Sequence, residues 1–312
     1  MAGSAQKIVP HLWFDTQARE AVAFYISLFP DSRLIHTRTL HDTPSGDCDV
    51  VSFELWGQRF QAINAGPLFT FSPAISFMVN FDPLNFGDTP SPEQAAKQSL
   101  EAAWNKLCEG GTVLMPLDEY PFSRCYGWVQ DRYGLSWQLI LIDPKGEPRP
   151  PILPSLLFVS DNHGNAEDAS SFYLDVFRNS HRGRLVRYGA DQAPDVEGTV
   201  MFTDFMLEDC WFTAMDSAHP HGFAFNEAVS FMVNCEDQEE IDDYWAKLSA
   251  VPEAEQCGWL KDQYGLSWQI IPARLDDMLR NGTEEQVANV TRAFLQMKKF
   301  DLAALEKAYQ AS

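Results

Sequence analysis

The 312-residue sequence has no Cys-x-x-Cys pair, no apolar run of about 18 residues, and no glycine-rich turn of the phosphate-cradling kind. Its six cysteines (Cys48, Cys108, Cys125, Cys210, Cys235 and Cys257) are scattered, which argues against a zinc knuckle, a thioredoxin motif or a disulfide framework. Basic residues are scarce: 23 Lys and Arg stand against 44 Asp and Glu, a formal net charge of -21. Such a surface repels phosphate backbones and anionic lipid, so neither nucleic acid nor a membrane is an expected partner. Met1 to Gln6 carry no apolar stretch of the signal-peptide kind, and a cytoplasmic location is expected. The sequence has no GxSxG, P-loop or HExxH pattern either. What is there is an ordinary globular composition, 45 % hydrophobic and 21 % charged, enough for two cored domains.

The chain repeats itself. Gly134-Leu-Ser-Trp-Gln138 recurs as Gly265-Leu-Ser-Trp-Gln269, and Ala74-Ile-Ser-Phe-Met-Val-Asn80 as Ala228-Val-Ser-Phe-Met-Val-Asn234. Pro10, Leu12 and Phe14 match Pro154, Leu156 and Phe158, and block order is kept, so the sequence is a tandem duplication. Between the copies the proline-rich stretch 143–154 resists helix and central strand. The expected units are 1–146, 147–275 and a helical tail over 276–312.

Within each copy the periodicity alternates between two and 3.6. Pro10, Leu12 and Phe14 share one face of a first strand, and His11 and Trp13 the other. A helix follows with Ala21, Val22, Tyr25, Ile26 and Phe29 on its apolar stripe. Strands are expected near Leu34–Leu40, Val50–Leu55 and Arg59–Asn64, completing a βαβββ module. A second module runs from Ile75–Val79 through a helix opened by a capping box at Ser91-Pro92-Glu93-Gln94. Its strands lie near Thr112–Leu117, Cys125–Val129 and Leu135–Ile142. The second copy repeats this pattern, with a capping box at Asp237 and Glu240. Only 8 residues separate Leu248 from Cys257, against 17 between Leu107 and Cys125, so one strand of the last module is shortened or missing. After Pro272, Val287, Val290, Phe294 and Met297 recur at helical spacing, and Asp301 is placed to cap a last helix.

Four βαβββ modules in series resemble the vicinal oxygen chelate superfamily of glyoxalases, extradiol dioxygenases and bleomycin-resistance proteins. Pro10-His-Leu-Trp-Phe-Asp15 with Phe24-Tyr25, Gly127-Trp128-Val-Gln-Asp131-Arg-Tyr-Gly134, and Cys257-Gly-Trp259-Leu-Lys-Asp262-Gln-Tyr-Gly265 are similar to the PhnB-like family, often labelled 3-demethylubiquinone-9 3-methyltransferase. The resemblance implies an α+β fold, a tandem duplication of a glyoxalase-like domain in partly open barrels plus the helical tail. It also implies a cavity with ligands on the first and last strands of each module. Carried over, these positions are Gln138, Gln269, Gln61 and its counterpart Thr213. On the first strands they are His11 and Trp13, matched by Ser155 and Leu157.

A pocket in copy one is expected, with His11 and Gln138 as the reacting groups. Trp13, Gln61, Asn64, Tyr120, Arg124 and Trp128 are expected to touch the ligand, with Glu119–Arg124 as a loop over it. Copy two is expected to serve as a built-in partner, in a monomer or a homodimer that uses another surface. Where the family's metal enzymes use carboxylates this chain offers glutamines, so the expected cofactor is none, a weak or transient divalent ion remaining open. A metal-dependent isomerase, lyase or dioxygenase, a small-molecule sequestering protein, and a duplication serving assembly all remain open. The methyltransferase label gains no support, because the only adjacent glycines, Gly110-Gly111, follow a helix rather than open one. Asp131 and Asp262 are expected to hold turns, and His219 and His221 to lie in a loop.

Overall fold

The computed structural model describes residues 6–87, 89–143 and 148–311. The first module is β1 (Ile8–Phe14), α1 (Ala18–Ile26), β2 (Arg33–Thr43), β3 (Gly46–Leu55) and β4 (Gln58–Asn64). The second is β5 (Ile75–Phe81), α2 (Pro92–Cys108), β6 (Thr112–Tyr120), β7 (Ser123–Gln130) and β8 (Ser136–Leu141). Copy two supplies β9 (Ile152–Phe158), α3 (Ala166–Val176), β10 (Ser180–Arg187), β11 (Val200–Leu207) and β12 (Cys210–Asp216). Its last module is β13 (Val229–Cys235), α4 (Gln238–Leu248), β14 (Trp259–Lys261) and β15 (Ser267–Pro272). Between α4 and β14 only a 3-10 turn at Pro252–Ala254 stands where the other modules have a strand. The tail is α5 (Ala273–Asn281), α6 (Glu284–Phe294) and α7 (Leu302–Gln310).

The strands form two curled, unclosed sheets, and their pairing does not follow the copies. Sheet A runs β14-β15-β13-β1-β4-β3-β2, joining the first module to the last. Sheet B runs β10-β11-β12-β9-β5-β8-β7-β6, joining the two middle modules. The joints are antiparallel, with His11 opposite Ser230 in one and Ser76 opposite Ser155 in the other. The copy boundary at 146/147 lies outside the described residues, and each cup draws one module from each copy. A pocket in either cup would therefore take residues from both copies.

Alternation decides the faces. Ile8, Leu12 and Phe14 enter one large core, shared by both sheets and by α1 to α4. Rings lock the sheets face to face there, Phe60 to Phe77 at 5.0 Å and Phe212 to Phe231 at 5.1 Å. The opposite faces of the sheets are the two cups. Asp131 and Asp262 do hold their turns, each accepting two backbone N–H groups and a buried tryptophan N–H. Gly134 and Gly265, at φ +89° and +81°, supply the left-handed residue those turns need. Asp237 caps α4, and Thr283 caps α6 in a full capping box. Ser91, expected to cap α2, makes no side-chain cap bond. Pro92 there already removes one orphan N–H.

Candidate functional site

The expected site residues divide between the two sheets. His11, Trp13, Gln61 and Asn64 lie on β1 and β4 of sheet A, whereas Gln138, Trp128, Tyr120 and Arg124 belong to sheet B. The two expected reacting groups are therefore not partners. The neighbours of β1 are β4 and β13, not the strands that carry Gln138.

In sheet A, a polar row crosses the cup in register: Ser230, His11, Gln61, Ser52 and His36. Gln269 donates to the Ser230 hydroxyl at 2.9 Å, and Trp259 meets the His11 ring edge-on at 5.5 Å. This cup is filled by the chain itself. Leu275, Met278, Val290, Phe300 and Leu305 of the tail pack on Val9, Met232 and Ile271 of the sheet, and Val287 of α6 packs with Leu40, Cys48 and Ala65. His11 is buried beneath, and burial pushes its pKa down to about 3, so the ring is neutral at physiological pH. Trp13 donates its indole N–H to the Gly66 carbonyl. Asn64 accepts the Ala18 N–H at 2.7 Å, securing the start of α1 rather than meeting a ligand.

The fit between tail and sheet leaves polar atoms stranded. His11 Nδ1, His36 Nδ1 and Ser267 Oγ on the sheet, and Thr291 Oγ1 on α6, are buried without a hydrogen-bond partner. Each such atom costs about 1–3 kcal/mol, while each buried aliphatic side chain returns about 1.5–3 kcal/mol. The tail brings more of the second kind than of the first, so it stays seated. Thr291→Val keeps the shape and removes an unsatisfied hydroxyl. It is expected to raise stability by about 1 kcal/mol in urea denaturation, and a loss of stability would show that the hydroxyl has an undetected partner.

In sheet B the corresponding row is Ser136, Ser76, Ser155, Thr213 and Asp204. Gln138 sits at its centre with both ends of its amide engaged. It donates to the Ser76 hydroxyl at 2.7 Å and the Ser155 hydroxyl at 3.2 Å, and its oxygen accepts the Tyr126 hydroxyl at 2.9 Å. Burial holds the Tyr126 phenol well above its ordinary pKa, so it stays a donor. Trp128, in register with Gln138, donates to Ser136 at 2.7 Å. Thr213 has no such partner: its hydroxyl is buried and unpaired.

The tail does not reach this cup, since none of its apolar partners lies on sheet B. Met78, Leu153 and Leu157 are buried on this face yet belong to neither the main core nor the tail clusters. Tyr120, Phe122 and Tyr126 form an aromatic rim with ring centres 5.0–5.6 Å apart. Tyr120 is thus near the cup, but on a strand of a tight hairpin and not on a covering loop. Arg124 is exposed and paired with Glu93 of α2 at 2.6 Å. Sequence reading missed Tyr126, although it lies two residues before Trp128 and so shares its face. It also missed Trp211, two residues before Thr213.

Neither cup suits a divalent ion. Sheet B offers hydroxyls and one amide whose oxygen is already bonded; sheet A offers two imidazoles, His11 and His36, held apart in the row by Gln61 and Ser52, and no carboxylate stands in either row apart from Asp204, which is held by Arg149. Among the described residues no group of three or more His, Cys, Asp or Glu is placed to hold a metal. β1 leads to α1 through Asp15-Thr16-Gln17 without a glycine, so that turn lacks the form of a nucleotide cradle.

The family model described as 3-demethylubiquinone-9 3-methyltransferase matches residues 6–140 and 150–271. Among solved structures, a PhnB protein from Bacillus cereus is 34 % identical, covering 44 % of this chain and 100 % of its own, with a TM-score of 0.37. A protein from Staphylococcus aureus is 31 % identical over 45 % of this chain and 99 % of its own, with a TM-score of 0.17. Glyoxalase I from Zea mays covers 87 % of this chain and 96 % of its own at 12 % identity and a TM-score of 0.51, a likeness of fold. No curated protein matches.

Proposed function

The chain belongs to the 3-demethylubiquinone-9 3-methyltransferase family, of vicinal oxygen chelate fold, and on that footing we propose that it binds a small molecule in the cup of sheet B without a metal ion. One observation carries this reading: the Thr213 hydroxyl is buried and unpaired in the floor of the one cup that the tail leaves alone. A buried hydroxyl without a partner costs about 1–3 kcal/mol unless something binds it, and a ligand polar group would do so. The pocket takes Gln138 and Trp128 from copy one and Ser155 and Thr213 from copy two, so copy two is a contributor, not a spectator. Among the described residues no helix is long and apolar enough to cross a membrane.

The test is Thr213→Val. Because the hydroxyl is unpaired in the free protein, the variant is expected to be as stable as wild type or up to about 1 kcal/mol more so. Fragments detected by ligand-observed NMR are expected to bind it about tenfold more weakly, the loss of one hydrogen bond. Gln269→Leu, in the filled cup, should leave those fragments bound. Fragments that survive Thr213→Val but vanish with Gln269→Leu would place the site in sheet A and end this reading.

A further inference from the structure

We propose that the cup of sheet B is selective for an uncharged, flat aromatic molecule bearing a hydrogen-bonding group. This rests on the reading of that cup as the ligand site. The argument begins with charge. Along the floor row the one ionisable side chain is Asp204, and it is neutralised in place: Arg149 donates to it at 2.9 Å, and the Arg184 backbone N–H donates as well. The same guanidinium lies 3.8 Å above the Trp211 ring, so the aromatic face nearest the ion pair is taken by a cation already. A ligand charge entering beside Ser76, Ser155 and Gln138 would shed its water and meet only neutral dipoles, which cannot repay an ion's desolvation. The net charge of -21 works further against anions.

The walls set the shape. In register on this face stand Met78 beside Gln138, Met115 beside Trp128, and Met206 beside Trp211. Thioethers interleaved with indoles give a polarisable, adaptable surface that favours ring edges and faces over aliphatic chains. The floor sets the polarity. The Gln138 amide bonds Tyr126, Ser76 and Ser155, and the Thr213 hydroxyl is the one side chain of the floor row with no hydrogen bond at all. A polar group on the ligand would complete it.

Calorimetric titration of the full chain with 2-naphthol, 2-naphthoate and 2-naphthylmethylammonium at neutral pH separates the cases. These probes share one ring system and differ in charge. The neutral probe is expected to bind at least tenfold tighter than either ion, and Thr213→Val to weaken it about tenfold. If an ion binds as well as 2-naphthol and Thr213→Val weakens that ion, the site stands and the ligand class is overturned. If no probe binds, or binding ignores Thr213→Val, the site itself is overturned along with the class.

Discussion

Lowering the pH from 6.5 towards 3 should cost wild-type protein stability that a His11→Leu variant keeps. The His11 imidazole has a pKa pushed down to about 3 by burial, against about 6.5 in an unfolded chain. Between those values the unfolded state binds a proton that the folded state refuses. The contribution is therefore fully present above pH 6.5 and is lost as pH falls towards the folded pKa, at about 1.4 kcal/mol per unit. Urea denaturation of both proteins at half-unit intervals should show their stability curves diverging below pH 6.5, by on the order of 4 kcal/mol near pH 3.5. Burial raises the carboxyl pKa of Asp131, Asp216 and Asp262, whose contributions grow as pH falls, but they are common to both proteins and cancel in the difference. Parallel curves would mean that the tail opens far enough to let His11 take its proton from water.

Asp262→Ala should be among the most damaging single changes away from either cup, costing about 4 kcal/mol. Its carboxylate accepts the N–H groups of Tyr264 and Leu266, the Trp268 indole N–H at 2.9 Å and the Tyr173 hydroxyl at 2.8 Å. The last two come from fully buried side chains that have nowhere else to turn. Tyr173 belongs to α3 and Trp268 to β15, so the carboxylate ties the two modules of copy two together across the core. The exposed Arg124–Glu93 pair is the contrast. Its geometry is good, 2.6 Å, but both ends lie in water and Arg124→Ala should cost under about 1 kcal/mol. Equal losses for the two variants would show that the buried carboxylate is dispensable to the core.

The modules were legible because each strand and helix carries its own period. The alternation through Pro10 to Phe14 put His11 and Trp13 on the cup side, and the short interval after Leu248 announced the missing strand. Partnership between modules was not legible. Ala74–Asn80 and Ala228–Asn234 are nearly the same sequence, so nothing in either says which first strand it will lie against. That choice follows from registers such as His11 with Ser230, settled only when the whole chain is folded. It is the reason that His11 and Gln138 parted company. The tail shows the same limit: Val287, Val290 and Phe294 announced an apolar stripe, but a stripe does not name the surface it will cover.

The sheets are nested in the chain like brackets within brackets, and this orders the events of folding. Everything in sheet B lies between Ile75 and Asp216, a continuous inner span. Sheet A is the outer pair, and β1 finds its second neighbour only in Val229–Cys235, more than two hundred residues downstream. A chain emerging from its N-terminus can finish the inner sheet while the first module still offers β1 as a bare edge, and distant pairings of this kind form slowly. α5 to α7 have nothing complete to dock on until β15 has joined. β1, made before either sheet is complete, is thus among the last strands to be flanked on both sides, and its edge stays unpaired meanwhile.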